Sequence, residues 1–348
     1  MEEQLDHPRL ARLRFMRLIW IVSGPLEQRG DRLFSALGSH RLRCLEPVAA
    51  LARRGHRIAL VRAETLDRRL ASSEWGAADA VIVAKQFTDI APHLQAVKGH
   101  GPRIVVDLCD DVLGLEHLRG TYARLLDVAD ACTAASPALA ERIRAARNRL
   151  VEVVPDCVEG EARPPAFAPA PDRPPRLLWF GQPGNLDALD AALAEVGQRI
   201  PGATLDIVTR LSPPVTARFP DGRDGLSIRC LRWSIETMDK ALHACDLVVI
   251  PSAPTDGTWV KSSNRVATAL WAGRLPVAFP LPSYRFLAGS ALLCEAMAEG
   301  VARALAQPEE MQTRIALGQA LIRNHFTPDA VATVWEAVLG NILGSQSR

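Results

Sequence analysis

Lysine is scarce in this 348-residue chain, standing only at positions 85, 98, 240 and 261, so its positive charge rests almost wholly on arginine. Neither sign of charge is in excess: 41 basic residues against 39 acidic ones leave +2. That balance excludes the global field of a nucleic-acid binder and requires any bound anion to meet a local patch. The seven cysteines, at 44, 109, 132, 157, 230, 245 and 294, are odd in number and scattered. They lack the spacing of a disulfide framework or of a metal-ligand set and point to a reducing cytoplasm. No apolar run approaches the roughly 20 residues of a spanning helix, and no secretory signal opens the chain. The expectation is a cytoplasmic protein with no metal and no tightly bound cofactor. The segment His7–Arg17 alternates bases with apolar residues; it reads as a solvated arm or, at most, as a peripheral contact with an anionic membrane.

What is present is enough for two cores. Single domains seldom grow beyond roughly 250 residues, and 48% hydrophobic with 23% charged residues is ordinary globular material. Apolar runs alternate with helix-period segments from Leu18 to about Phe279, the rhythm of parallel sheets covered on both faces. Strands are predicted at Leu18–Val22, Arg57–Val61, Ala80–Val83, Arg103–Asp107, Ala131–Thr133 and Val151–Val154. A helix from about Leu42 to Arg54 ends at Gly55. The segment 163–175 holds too many prolines for helix or central strand and reads as a linker. The rhythm restarts with Arg176–Phe180, then Ala203–Val208, Leu226–Leu231, Asp246–Ile250 and Leu275–Phe279, with helices near Ile235–Ala244 and Asn264–Ala272 and a helical tail from about Glu295. The division expected is an arm over 1–16, a first Rossmann-like domain over 17–162, the linker, a second Rossmann-like domain over 176–325, and a C-terminal helix over 326–348.

Three constellations could carry chemistry. After the strand ending at Ile250, a polar loop leads to a helix beginning at Ser262 or Ser263. Free N–H groups there, together with Lys261 and Arg265, make a compact anion site suited to a pyrophosphate. The alternative makes Ser262 and Asn264 caps and the two cations solvated. Asp107, Asp110 and Asp111 crowd one strand end as catalytic candidates, which is costly unless they are solvated or used; Asp110 or Asp111 reads as base or as acceptor-orienting group, with capping of the next loop the alternative. His40, Arg41 and Arg43, at a helix start on the same side, read as contacts for an anionic acceptor or as a solvated turn. Trp233, after a strand of the second half, reads as a base-stacking residue or as core.

The ordered landmarks resemble the GT-B glycosyltransferases, particularly the family 4-like retaining enzymes. Arg43–His56 resembles their first helix, Asp130-Ala-Cys-Thr-Ala-Ala-Ser136 their aspartate-to-serine strand ending, and Val153-Val-Pro-Asp-Cys-Val158 the close of their first domain. Leu178-Trp-Phe-Gly181 resembles the glycine loop opening the second domain, and Thr268-Ala-Leu-Trp-Ala-Gly-Arg-Leu-Pro-Val-Ala278 the donor segment. Asn324-His-Phe-Thr-Pro328 resembles the terminal segment that returns to the first domain. The resemblance implies a cleft between two Rossmann-like domains and a nucleotide-sugar donor held by Gly181, Gln182, Asn185, Arg210, Trp233, Asp256, Lys261, Ser262, Ser263, Asn264, Arg265 and Thr268.

The departures are equally specific. The family's paired acids fall on Val260 and Thr268, with Asp256 a candidate replacement, and its arginine after the glycine falls on Gln182. If the donor is a sugar diphosphate, Lys261, Arg265 and Arg210 must supply the missing charge. The implied activity is hexosyl transfer to a glycan, lipid-linked or small-molecule acceptor, without nucleic acid as partner. A sugar-nucleotide epimerase or hydrolase and an inactive GT-B-like binding protein are the alternatives.

Overall fold

The computed structural model describes residues 15–30, 32–66, 74–170 and 172–344; positions 1–14, which hold most of the expected arm, lie outside them. Two large, separate sheets carry the fold of the described residues. In the first, β1 (Arg17–Val22), β4 (Arg57–Arg62), β5 (Ala80–Val83), β6 (Arg103–Leu108), β7 (Ala131–Ala134) and β8 (Leu150–Val153) run all parallel in the order β4-β1-β5-β6-β7-β8. The order reverses beside β1, the place where the loops leaving the strand ends part to open a crevice. A small antiparallel hairpin, β2 (Glu27–Arg29) and β3 (Arg32–Phe34), follows β1.

The second sheet holds β9 (Arg176–Phe180), β10 (Thr204–Thr209), β11 (Gly222–Arg223), β12 (Leu226–Arg232), β13 (Leu247–Ile250), β14 (Leu275–Ala278) and β15 (Leu292–Leu293). Their order is β11-β12-β10-β9-β13-β14-β15, parallel except for β11. It reverses between β9 and β13, so the loops after these two strands share a second crevice. Buried strands such as Leu247-Val-Val-Ile250 and Ala80-Val-Ile-Val83 are apolar throughout because helices cover both of their faces.

Helix α1 starts earlier than expected. It runs as Gly38–His40, a π-helical turn Arg41–Leu45 and Glu46–Arg53. Gly55, with φ of 97°, then turns the chain into β4. At the other end of the chain, the C-terminal helix (Pro328–Gly344) lies on the first sheet. Val331, Ala332, Trp335, Val338, Leu339 and Ile342 enter one core with Leu18, Trp20, Val22 and Leu51. Trp20 and Trp335 meet edge to face with centroids 4.9 Å apart. Buried Glu336 accepts from Arg54 at 2.6 Å and contacts His56 at 3.0 Å, so the polar edge of this junction is also closed.

The described residues of the proline-rich segment have no helix or strand, and they are tied down along the second half. Arg163 N–H donates to the Trp271 carbonyl at 3.0 Å and Ala166 N–H to that of Gly273 at 2.9 Å. Gln312 and Gln319 bond its backbone from the helix Pro308–His325, and Phe167 is buried in the second core. Gly273 has to be glycine for two reasons: its φ is 73°, and a Cβ there would stand 2.2 Å from the Pro164 carbonyl oxygen. No helix among the described residues is long and apolar enough to cross a membrane.

Candidate active site

The loop between β13 and the helix Asn264–Trp271 is built in two steps. Thr255 and Thr258 form a reciprocal capping box that starts a short turn, Asp256–Trp259. The chain then passes Val260, Lys261, Ser262 and Ser263 into the helix. Ser263 is the N-cap residue, yet its side chain makes no cap bond. Ser262 turns away from the helix and donates to Asp156 Oδ2 at 2.5 Å. The backbone N–H groups at this helix start therefore have no side chain capping them.

Lys261 reaches Asn185 Oδ1 at 2.5 Å. Asn185 ends the turn Pro183–Asn185 after β9, so the strands flanking the reversal point both contribute to one corner. Burial lowers the proton affinity of Lys261, the neighbouring Arg265 lowers it further, and Asp110 opposes them. Arg265 Nη1 and Asn264 Nδ2 are buried with no hydrogen-bond partner. A crowded cationic corner with orphaned donors is the local signature of an anion site.

Around this corner, Gly181 brings the backbone close. A Cβ there would stand 3.1 Å from the Trp179 ring, and its carbonyl accepts from Thr209 Oγ1 at 2.7 Å. Gln182 and Arg210 are exposed, and Thr268 is half-buried on the helix. Asp256 does not join the group: its side chain is 90% exposed and lies 3.6 Å from Arg142 of the first half. Trp233 is half-buried against the second core, with the Arg41 guanidinium 4.9 Å from its ring centroid. It thereby serves as the second half's contact for a first-half arginine.

Facing this corner are the ends of the first sheet's strands, where the three aspartates divide. Asp107 is buried and fully engaged. Arg43 grips both its oxygens, Nε to Oδ2 at 2.9 Å and Nη2 to Oδ1 at 2.5 Å, and Thr133 Oγ1 donates to Oδ1 at 2.6 Å. A carboxylate so buried and occupied holds the sheet end together and does not face a substrate, which corrects its place among the catalytic candidates. Asp111 accepts from Gly114 N–H at 3.1 Å and pairs with Arg142 at 2.8 Å, the loop-capping alternative. Asp110 is different. Its side chain is 44% exposed and accepts from Lys85 Nζ at 2.6 Å. Burial disfavours its charge, but Lys85, Cys109 and Lys261 together outweigh that and hold the carboxyl below its ordinary range.

The expected acceptor-side trio also needs correction, because all three residues are buried. Arg43, with its side chain 2% exposed, spends its remaining nitrogen on the Val154 carbonyl and Asp156, both at 2.8 Å. Arg41 donates to Glu159 at 2.7 Å and to the Ser35 carbonyl at 2.8 Å. His40 Nδ1 lies 3.0 Å from Ser35 Oγ, and burial lowers the proton affinity of the ring. A charged residue at a helix start reads locally as solvated; here distant partners draw these side chains inward.

Four residues that the sequence reading gave no site role stand at this site: Lys85, Ser136, Arg142 and Asp156. The rarity of lysine was the available signal for the first, since two of only four lysines converge on Asp110. The others clamp the halves together. Ser136 caps the helix Pro137–Ala146 by accepting from Leu139 N–H at 3.1 Å, and its hydroxyl donates across the cleft to the Val260 carbonyl at 2.6 Å. Val260 itself is buried in the first half's core. Ser136→Ala loses a cap and an interdomain bond together, and is expected to reduce stability by about 1–2 kcal/mol in urea unfolding. A change within a few tenths of that unit would mean that neither bond matters.

No protein-family model matches this chain, and no curated protein matches it by sequence. Solved structures do match. HepE of Anabaena, in complex with UDP and glucose, aligns with a TM-score of 0.66 at 15% identity, over 94% of this chain and 100% of its own. An alpha-glucosyltransferase in complex with UDP-glucose and DNA containing an abasic site gives 0.68 at 12% identity, over 94% and 100%. A glycosyltransferase from Rickettsia africae ESF-5 gives 0.62 at 12% identity, over 94% and 99%. The likeness establishes the architecture: two Rossmann-like halves arranged as in the GT-B fold.

Proposed function

We propose that this chain uses its GT-B scaffold to transfer a hexosyl group from a nucleotide-sugar to an acceptor hydroxyl. The observation that carries the reading is the corner formed by Lys261, Arg265 and Asn185, where Arg265 Nη1 is buried without a partner beside an uncapped helix start. A diphosphate supplies the acceptors those donors lack. Neutralising it stabilises the leaving group as the bond between the anomeric carbon and the phosphate oxygen breaks and that oxygen keeps the electron pair. The acceptor oxygen forms the new bond, and its proton passes to the released diphosphate, whose leaving oxygen has kept the electron pair. Asp110, held ionised at the opposite lip, accepts a hydrogen bond from that hydroxyl and orients it.

Residues 17–162 then form the acceptor domain and 176–325 the donor domain. Gly181, Gln182, Arg210, Trp233 and Thr268 surround the nucleotide. The acceptor class is a glycan, a lipid-linked sugar or a small molecule. UDP-glucose is the first donor to try, because HepE is described with UDP and glucose and the alpha-glucosyltransferase with UDP-glucose. A second reading, binding without turnover, draws on the apolar Val260 and the neutral Thr268 where the resembled family places its paired acids.

Calorimetry with UDP, GDP and ADP, followed by donor-consumption assays, separates these readings. One nucleoside diphosphate is expected to bind, adding about 2.7 kcal/mol of stability at a hundredfold its Kd, and the matching nucleotide-sugar to be consumed only with an acceptor present. Consumption without acceptor would indicate an epimerase or hydrolase. Binding without any consumption across an acceptor panel would indicate a silent binding protein.

A further inference from the structure

Lys85 has no part in the donor site just described, yet it is one of the most constrained cations in the molecule. It lies two residues beyond β5, and the chain there is fixed by two bonds: Ala84 N–H donates to the Ile21 carbonyl at 2.9 Å, and the Lys85 carbonyl accepts from Ser23 N–H at 3.2 Å. Its side chain is only 17% exposed and passes 5.9 Å from the Phe87 ring centroid to end on Asp110 Oδ2 at 2.6 Å. Because β5 and β6 are adjacent and parallel, with Val83 opposite Val106, the loops carrying Lys85 and Asp110 leave the sheet side by side. Burying an ammonium this far is unfavourable unless a carboxylate meets it, which makes the pair one unit.

The unit matters because of what lies opposite. Asp110 stands three residues beyond Asp107, which Arg43 ties to Asp156, and Asp156 accepts from Ser262, the residue after Lys261, at 2.5 Å, so the loops carrying Asp110 and Lys261 meet across the cleft. A bare carboxylate in that position would repel any diphosphate bound by Lys261 and Arg265, since like charges brought together without compensation oppose binding. We propose that Lys85 is a positioning residue of this site, the resident counterion that lets the Asp110 carboxylate share the cleft with the donor's diphosphate. It acts through Asp110 and does not touch the ligand. The inference rests on the reading of the Lys261 and Arg265 corner as a diphosphate site.

The test is UDP binding by calorimetry on the full chain, in the wild type, Lys85→Arg, Lys85→Met, Asp110→Asn and the Lys85→Met/Asp110→Asn double variant. Lys85→Met is expected to weaken UDP about tenfold, because it leaves Asp110 charged and uncompensated. Lys85→Arg, which keeps the charge, is expected to stay within about threefold of the wild type, and the double variant within about threefold of Asp110→Asn. If Lys85→Met does not fold, Lys85→Gln takes its place with the same loss expected, and the double-variant comparison shows whether Lys85 acts only through the aspartate charge, which both of its members lack. A tenfold loss between Asp110→Asn and the double variant would show that Lys85 contacts the phosphates itself and would overturn the counterion role. Unchanged affinity in Lys85→Met would overturn it as well. A wild type that binds no UDP, GDP or ADP would instead remove the diphosphate reading, and this inference with it.

Discussion

Lys261→Ala and Arg265→Ala are each expected to weaken binding of the cognate nucleoside diphosphate by about ten- to a hundredfold, since hydrogen bonds to charged groups contribute roughly 1.5–3 kcal/mol. The matching nucleoside, which has no phosphates, should bind both variants almost as it binds the wild type. The two side chains sit in one corner, and Lys261 is already oriented by Asn185; little ordering remains to be done when the ligand arrives. Arg265 brings a buried nitrogen with no other partner, so its loss removes a donor that nothing else in the fold satisfies or replaces. Calorimetry of nucleoside and diphosphate against both variants checks the expectation. An equal loss for the two ligands, or none for either, would place the phosphates elsewhere.

Arg43→Met is expected to cost about 3–5 kcal/mol of folding stability, because it strands the buried Asp107 carboxylate without its cation. Arg43 joins β6, the chain after β8 and α1 through Asp107, the Val154 carbonyl and Asp156. Burial alone would disfavour its charge, but Asp107 and Asp156 more than restore it, and its proton affinity lies above that of an ordinary arginine. Removing the carboxylate as well, in Arg43→Met/Asp107→Leu, should return a large part of the loss, because two apolar side chains can pack where an unmatched charge cannot. Denaturant unfolding of the single and double variants measures this. A loss below about 1 kcal/mol for Arg43→Met would mean that water reaches Asp107 and that the network is not structural.

The fold was legible where the signal is continuous. Ala80–Val83, Arg176–Phe180 and Ile235–Ala244 stand at their expected bounds, because strands buried on both faces carry uninterrupted apolar runs and a capped helix announces its own start. The hairpin Glu27–Arg29 with Arg32–Phe34 was not legible, being short and polar. Nor was the π-helical turn at Arg41–Leu45, nor the start of that helix at Gly38, four residues ahead of the periodic signal.

At the site, local reasoning brought Lys261 and Arg265 to a helix start after β13. It failed wherever a partner lies far along the chain. Arg43 and Asp107 are 64 residues apart, and Ser136 and Val260 are 124 apart. Arg43, Asp107 and Ser136 seen alone read as solvated or capping side chains, and only the assembled sheets reveal that each is a tie.

The C-terminal helix also sets a timetable for synthesis. The strand that presents Leu18, Trp20 and Val22 leaves the ribosome roughly 300 residues ahead of Trp335 and Leu339, which cover it. At roughly 5–20 residues per second the interval is on the order of tens of seconds. During that time the nascent chain carries an apolar sheet face with no native cover, and it is in this interval that chaperone engagement or premature association has its opportunity.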